Sequence, residues 1–512
     1  MIQIKNLSFT NKYKLNKIIE NFSITLNPGD KVCIIGEEGN GKSSLLKWIY
    51  DPKLIEDYVI YEGELIKNND TFGYLPQELD FKDGKKTIYE FFSEDECFLN
   101  ADFNELANLA IKFKLSTDIY YQDNLMGNLS GGEKIKLQLI KLLLHHFNVL
   151  LLDEPSNDID IYTLELLENI INECEGIVIF VSHDEILLEN TANMIIHIEQ
   201  LKRKTTPRVN VARLDYDSYI KQRFASFEKQ EQIADNQSKE KRKRDEKYNQ
   251  LYQNVHNALN SVPGKDATEG RLLKKKMHAI KSMGKRFEKM DEEMVSKPDY
   301  EEAINLKFND EAILIDKNKI VLDLQISELK IQDKILAKNI DLLIKGNDHV
   351  CIIGHNGCGK STLIKQIYQN LKSRSDIVLG YMPQNYEDGL FLNISPIEFL
   401  ASDSKKETIT NVRTLLGSLK FTVKEMESEI QYLSGGQKAK ILLLKMIINN
   451  CNVLILDEPT RNFSPLSNPV IREILKDFPG CIISISHDRK YIAEVCDKIY
   501  ELNDYMLQEV DF

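Results

Sequence analysis

Long apolar runs are missing from this 512-residue sequence: segments such as "GIVIFV" at 176–181 fall far short of the roughly 20 residues a helix needs to cross a bilayer. No membrane span is expected. The start, "MIQIKNLSFTNKYK", alternates like a strand and lacks the apolar centre of a secretory signal, so a cytoplasmic location is expected. Paired cysteine motifs are missing too. The eight cysteines (Cys33, Cys97, Cys174, Cys351, Cys358, Cys451, Cys481, Cys496) contain no C-x-x-C, and several sit in strand-like runs, which predicts reduced, mostly core thiols. Nor is there an overall positive charge. A net charge of −13 argues against a bulk polyanion binder, yet residues 220–299 hold 19 Lys and Arg against 13 Asp and Glu. The middle of the chain therefore differs in character from its ends.

What is present, 42% hydrophobic and 28% charged residues, suits a globular chain of several domains. Five short signatures occur in the same order in each half. The first half reads "GEEGNGKS" (36–43), "YLPQE" (74–78), "LSGGEK" (129–134), "LLLDEP" (150–155) and "VSHD" (181–184); the second reads "GHNGCGKS" (354–361), "YMPQN" (381–385), "LSGGQK" (433–438), "LILDEP" (454–459) and "ISHD" (485–488). Ser130 precedes Glu154 by 24 residues, as Ser434 precedes Glu458, and 29 residues separate each glutamate from His183 or His487. Such spacing marks a duplicated domain.

G-x-x-x-x-G-K-[ST] between an apolar strand and a helix is a phosphate-binding loop. Gly36, Gly39 and Gly41, like Gly354, Gly357 and Gly359, let the backbone wrap closely, so that N–H groups and the helix start face phosphates. Lys42 and Lys360 would reach the β- and γ-phosphates, and Ser43 and Ser361 would hold Mg²⁺, with Ser44 and Thr362 following. Asp153 and Asp457 end the next apolar strands as carboxylates on the metal side; Glu154 and Glu458 could polarise a water in line with the γ-phosphate. His183 and His487 follow a further apolar strand and could touch the γ-phosphate from the side.

"LSGG" ahead of a helix, between a glutamine-bearing loop and the Asp-Glu strand, resembles the signature of ATP-binding-cassette ATPases. Two cassettes, no span and a charged helical middle resemble the ABC-F family. That resemblance implies an α/β fold of two P-loop cassette domains, 1–205 and 311–512, joined by a helical hairpin linker over 206–310. It also implies two composite ATP sites with Mg²⁺ between head-to-tail cassettes of a monomer. Lys42, Gln77, Asp153, Glu154 and His183 would face Ser434, Gly435 and Gly436; Lys360, Gln384, Asp457, Glu458 and His487 would face Ser130, Gly131 and Gly132. Gln77 and Gln384 would serve both metal and catalysis, and Tyr13 would stack on adenine, with no aromatic counterpart in the second cassette. The family pattern "DEPTNHLD" keeps its final carboxylate as Asp160, with Asp158 in place of His, but the second copy has Arg461, Asn462, Phe463 and Ser464. Unequal hydrolysis at the two sites is the expected result.

In the linker, Leu273, Met277, Ile280, Met283, Phe287, Met290 and Met294 form one apolar helical seam, and Tyr248, Leu251, Val255 and Leu259 another. "NSVPGKDATEG" at 260–270 punctuates them as the tip of a hairpin. Lys265, Arg271, Lys274, Lys275, Lys276, Lys281, Lys285 and Arg286 could neutralise phosphates. By resemblance, this segment would enter the ribosomal E site of a 70S particle and approach 23S rRNA and the P-site tRNA. No arm fits in the first cassette, since Gln77 and Ser130 are 53 residues apart against 50 for Gln384 and Ser434, and the chain ends 25 residues after His487. Armless members resemble the antibiotic-resistance branch. A housekeeping rescue factor, an exporter motor with a separate membrane partner, and an ATP-gated DNA clamp are the alternatives.

Overall fold

The computed structural model describes the chain apart from residues 14, 69, 158, 202–204, 262–266, 293, 296, 298–305, 309–312, 314, 332–333, 402, 504 and 512. Asp158, Lys265 and most of the linker tip therefore lie outside the described residues. The chain divides into a cassette unit, Met1–Tyr216 with Glu301–Phe512, and a helical unit, Asp217–Tyr300.

The strands of the first cassette are β1 (Ile2–Asn11), β2 (Lys17–Leu26), β3 (Lys31–Ile35), β4 (Val59–Lys67), β5 (Phe72–Leu75), β6 (Val149–Asp153), β7 (Ile177–Val181), β8 (Met194–Gln200) and β9 (Thr206–Ala212). Those of the second are β10 (Ile320–Ile331), β11 (Lys334–Lys345), β12 (His349–Ile353), β13 (Leu379–Met382), β14 (Val453–Asp457), β15 (Cys481–Ile485), β16 (Lys498–Asn503) and β17 (Met506–Val510). Continuous apolar runs without alternation become interior strands covered on both faces; β3, β6, β7, β12, β14 and β15 are buried along their whole length. The first large sheet has the order β5-β6-β7-β3-β8-β9 and the second β13-β14-β15-β12-β16-β17. Each is parallel apart from its final strand. One topology thus appears twice, as the repeated signatures predict. A smaller antiparallel layer, β2-β1-β4 in one cassette and β10-β11 in the other, accompanies each large sheet.

The first cassette runs past the expected boundary at 205. Ile195 pairs with Ala212 and Gln200 with Pro207, because β9 folds back to cover the edge that β8 would otherwise expose. All eight cysteines are free, and Cys33, Cys351, Cys451 and Cys481 are buried. Among the described residues no helix is long and apolar enough to cross a membrane.

The helical unit is built from Tyr216–Ser261, 46 residues or about 69 Å of helix, and Ala267–Glu292. The two helices meet where the seams predict: the Tyr248 and Phe287 rings lie 5.9 Å apart, and Arg244 covers Phe287 while reaching Asp291 at 2.5 Å. Gly284 permits the approach, since a Cβ there would lie 2.6 Å from the Tyr248 hydroxyl. Two seam positions differ from expectation. Leu251 and Met290 are exposed, and Tyr252 is half-buried in place of Leu251.

Candidate functional site

In an open parallel sheet, ligands gather beyond the carboxyl ends of the strands. β3 runs directly into "GEEGNGKS", its neighbour β7 ends at Ser182–His183, and β6 beyond it ends at Asp153–Glu154. β12, β15 and β14 do the same for the second cassette. Strand order alone therefore assembles residues that are 140 positions apart in the chain.

The phosphate loops need glycine. Gly36 and Gly354 have φ of 146° and 148°, and a Cβ on either would strike the carbonyl of Ile198 or Leu502 at 2.2 or 2.4 Å. Gly41 and Gly359 start the following helices, Lys42–Tyr50 and Lys360–Lys372, with no side-chain cap and no acidic residue in the first turn. Their open N–H groups suit an anion. Buried Lys42 donates to the carbonyls of Gly36 (2.8 Å) and Glu37 (3.1 Å); Lys360 donates to those of Gly354 (2.7 Å) and His355 (3.0 Å). Ser43 Oγ donates to Asp153 Oδ1 at 2.8 Å, while Asp153 Oδ2 is buried without a hydrogen-bond partner. Burial pushes both Asp153 and Asp457 up to about 6 despite the hydroxyls of Ser43 and Ser361 beside them. A buried carboxylate with a free lone pair next to a serine hydroxyl fits a Mg²⁺ ligand set. Ser44 lies half-buried in the first helical turn, and Thr362 lines the second site.

Glu154 and Glu458 have φ of 51° and 56°, a left-handed conformation rare for glutamate that concentrates at functional sites. Each is held by its own N–H, which donates to Val181 O (3.0 Å) or Ile485 O (2.9 Å). The two carboxyls differ in charge. Burial opposes ionisation of Glu154, but His183 Nε2 at 3.4 Å, Lys42 and Asn157 at 2.6 Å hold it at about 2, and Gln77 donates to it at 2.9 Å. Glu458 is pushed up to about 8 by burial and by the charge of Asp457; His487 stands 3.8 Å away and is itself lowered to about 3 by burial and by Lys360.

At both ends of the cassette interface the start of a signature helix lies opposite the phosphate loop of the other cassette. At the Lys360 site a cavity of about 490 Å³ is lined by Ser130, Gly131 and Gly132 of the first cassette and by Gly357, Gly359, Lys360, Ser361, Thr362, Gln384, Asp457, Glu458 and His487 of the second. Its volume lies in the range of small-molecule sites. Ser130 and Ser434 cap their helices, Gly131–Leu143 and Gly435–Ile448, through capping boxes with Glu133 and Gln437. At the Lys42 site the cassettes touch directly: Gly436 N–H donates to Glu38 Oε2 at 2.6 Å, His183 Nδ1 donates to Phe463 O at 2.6 Å, and Ser464 and Ser467 each donate to Glu37 Oε1 at 2.7 Å.

Sequence reasoning singled out neither Glu37, Glu38, His355 nor Asn157; they occupy positions that the motifs leave free. Tyr13 sits exposed in the turn between β1 and β2, its hydroxyl 3.5 Å from Asp57 O. Ile18, further along the same hairpin, is the residue that lies over Gly41, as Leu336 lies over Gly359, and Leu336 and Ile331 line the Lys360 cavity. The second cassette thus offers aliphatic surface where the aromatic is missing. Only their place beside a phosphate loop distinguishes these residues from ordinary core. Burial also pushes the Cys358 thiol of the second phosphate loop upward.

Comparison with known proteins agrees with this geometry. The family described as ABC transporter matches residues 19–157 and 337–461. The ATP-binding protein Uup of Buchnera aphidicola subsp. Acyrthosiphon pisum is 30% identical over 531 residues, covering 99% of this chain and 81% of that protein. ABC transporter F family member 5 of Arabidopsis thaliana is 23% identical, covering 99% and 76%. Among solved structures, a chain in the complex of archaeal ribosomal stalk protein aP1 with archaeal ribosome recycling factor aABCE1 shares the fold at TM-score 0.59 and 15% identity, covering 97% of this chain and 87% of that one. Duplicated phosphate loops, Asp-Glu strand ends and facing signature helices define an ATP-binding, ATP-hydrolysing cassette ATPase. Within that class the chain belongs to the ABC-F family of tandem cassettes.

Proposed function

We propose that this ATPase works on the 70S ribosome in the cytoplasm, as a monomer whose cassettes close on each other around ATP. Lys42, Ser43, Asp153 and Gln77, with Lys360, Ser361, Asp457 and Gln384, hold nucleotide and Mg²⁺; Glu154 and Glu458 orient the attacking water beside His183 and His487. The closed protein enters the E site and presents its linker tip to the P-site tRNA and to 23S rRNA around the peptidyl-transferase region. Antibiotics bound there are thereby displaced.

The observation that supports this is the two-faced Ala267–Glu292 helix. Leu273, Met277, Ile280, Met283 and Phe287 are at least half-buried, whereas Arg271, Lys274, Lys275, Lys276, Lys281, Lys285 and Arg286 are all exposed. A continuous exposed row of cations neutralises a phosphate backbone and gives binding a steep salt dependence. The fold shared with a protein named as a ribosome recycling factor points the same way. Deleting 262–268 should abolish protection of growing cells against peptidyl-transferase drugs while leaving ATPase activity intact, as read from inhibitory concentrations and phosphate release. If the shortened protein still protects, the tip is not the acting element. If the intact protein gives no protection but relieves stalled translation, the housekeeping reading takes its place.

A further inference from the structure

The two phosphate loops differ at adjacent positions that the motif leaves open, Glu37–Glu38 in one and His355–Asn356 in the other. The surfaces facing them differ in a complementary way. At the Lys360 site the carboxylate comes from the opposing loop: Asp160 faces His355 Nδ1 at 3.4 Å and Lys136 Nζ at 3.4 Å. At the Lys42 site the residue equivalent to Asp160 is Ser464, and the carboxylate comes from the phosphate loop itself: Glu37 takes both serine hydroxyls and faces Lys440 at 3.7 Å. Lys136 and Lys440 each stand six residues past their signature serine, so the same lysine position meets a carboxylate from opposite sides of the interface. Burial works against the Glu37 charge, but Lys440 and the two hydroxyls hold its pKa below the usual glutamate range.

This relocation places Glu38 against the start of the 14-residue signature helix, where Gly436 N–H donates to it. That helix has no acidic residue in its first turn. Its N-terminus favours negative charge, and a charge-assisted N–H···O⁻ bond is stronger than a neutral one. Glu38 thus occupies the place where a third phosphate, extended from the Lys42 loop toward the facing helix, would be received. The equivalent residue of the other loop, Asn356, is neutral and lines the Lys360 cavity.

We propose that Glu38 is a specificity-determining residue: it fills the anion seat of the signature helix at the Lys42 site, so that a nucleoside triphosphate must displace it and a diphosphate need not. The Lys42 site therefore discriminates against triphosphate, and the Lys360 site loads it first. Nucleotide discrimination at the Lys42 site is independent of where the ATPase acts in the cell.

The test uses full-length protein carrying Lys360→Ala, so that the Lys42 site is read, titrated with fluorescent mant-ATP and mant-ADP. Glu38→Asn should raise mant-ATP affinity about tenfold, the size of one charge-assisted hydrogen bond, and leave mant-ADP within about twofold. Glu38→Gln, which keeps the shape and removes the charge, should do the same. The converse variant, Asn356→Glu in a Lys42→Ala background, should weaken mant-ATP but not mant-ADP at the Lys360 site. Unchanged mant-ATP binding in both Glu38 variants, equal gains for both nucleotides, or an Asn356→Glu site that does not discriminate would each overturn the proposal.

Discussion

At the scale of single residues, one motif read twice produces two different electrostatic sites. Glu154 is ringed by donors and cations and stays ionised, whereas Glu458 has mainly burial and the neighbouring Asp457 charge around it and holds its proton toward neutral pH. The identity of a motif residue does not set its charge; its neighbours do. Asp160 offers a direct test. Burial opposes its charge, but Thr163, Lys136 and His355 hold its pKa below the ordinary aspartate range. A depressed carboxylate stabilises the fold fully above its unfolded pKa of roughly 4, and that contribution disappears as pH falls through the folded value. Asp160→Asn should therefore cost roughly 1–3 kcal/mol at pH 7, and progressively less below pH 4, in denaturant titrations across pH. A pH-independent loss would show that Asp160 acts through packing rather than charge.

At the scale of elements, the exposed lysine row makes a quantitative demand on the linker. Replacing Lys274, Lys275 and Lys276 by Gln removes three exposed cations, which should reduce the log–log salt slope of ribosome binding by roughly two to three with ATPase unchanged. A slope that stays the same would place the RNA contact elsewhere. This helical pair also marks the limits of reading elements from sequence. Its existence and inward face were legible from apolar spacing, but choosing Leu251 over Tyr252 failed because either fits a step of three or four residues and the packing partner decides. The duplicated cassette frame was legible from the signatures, since phosphate-loop chemistry dictates their residue types. Glu37 and Glu38 were not, because their partners Ser464, Ser467 and Gly436 lie about 400 positions away and only the paired cassettes bring them together. β9 was missed for a related reason: its membership of the first sheet is set by pairing with β8, not by its own pattern.

At the scale of the whole molecule, the cassette interface is polar in the electrical sense. Arg472 reaches buried Glu185 at 2.5 Å, Arg489 reaches Glu168 at 2.5 Å and Asp184 at 3.2 Å, and Lys490 bridges Glu185 and Glu189. Glu168 and Arg472 each lie 14 residues beyond their glutamate, and Glu185 and Arg489 each two beyond their histidine, so both pairs join equivalent positions. In both, the first cassette supplies the acid and the second the base. Two copies of either cassette would oppose like charges at these positions, which disfavours homotypic pairing. Arg472→Glu should destabilise the protein by roughly 3–5 kcal/mol, since it leaves Glu185 buried against a like charge, and Glu185→Arg in the same chain should recover part of that loss, with Lys490 and Glu494 opposing full recovery. A double variant no more stable than the singles would remove the pairing argument. The central claim, that ATP-driven closure of this cassette pair serves ribosome binding, is tested most directly with the Glu154→Gln, Glu458→Gln protein, which should close on ATP and remain closed. Co-sedimentation with 70S ribosomes that requires ATP is the predicted result. A nucleotide-closed protein that stays in the supernatant would contradict it.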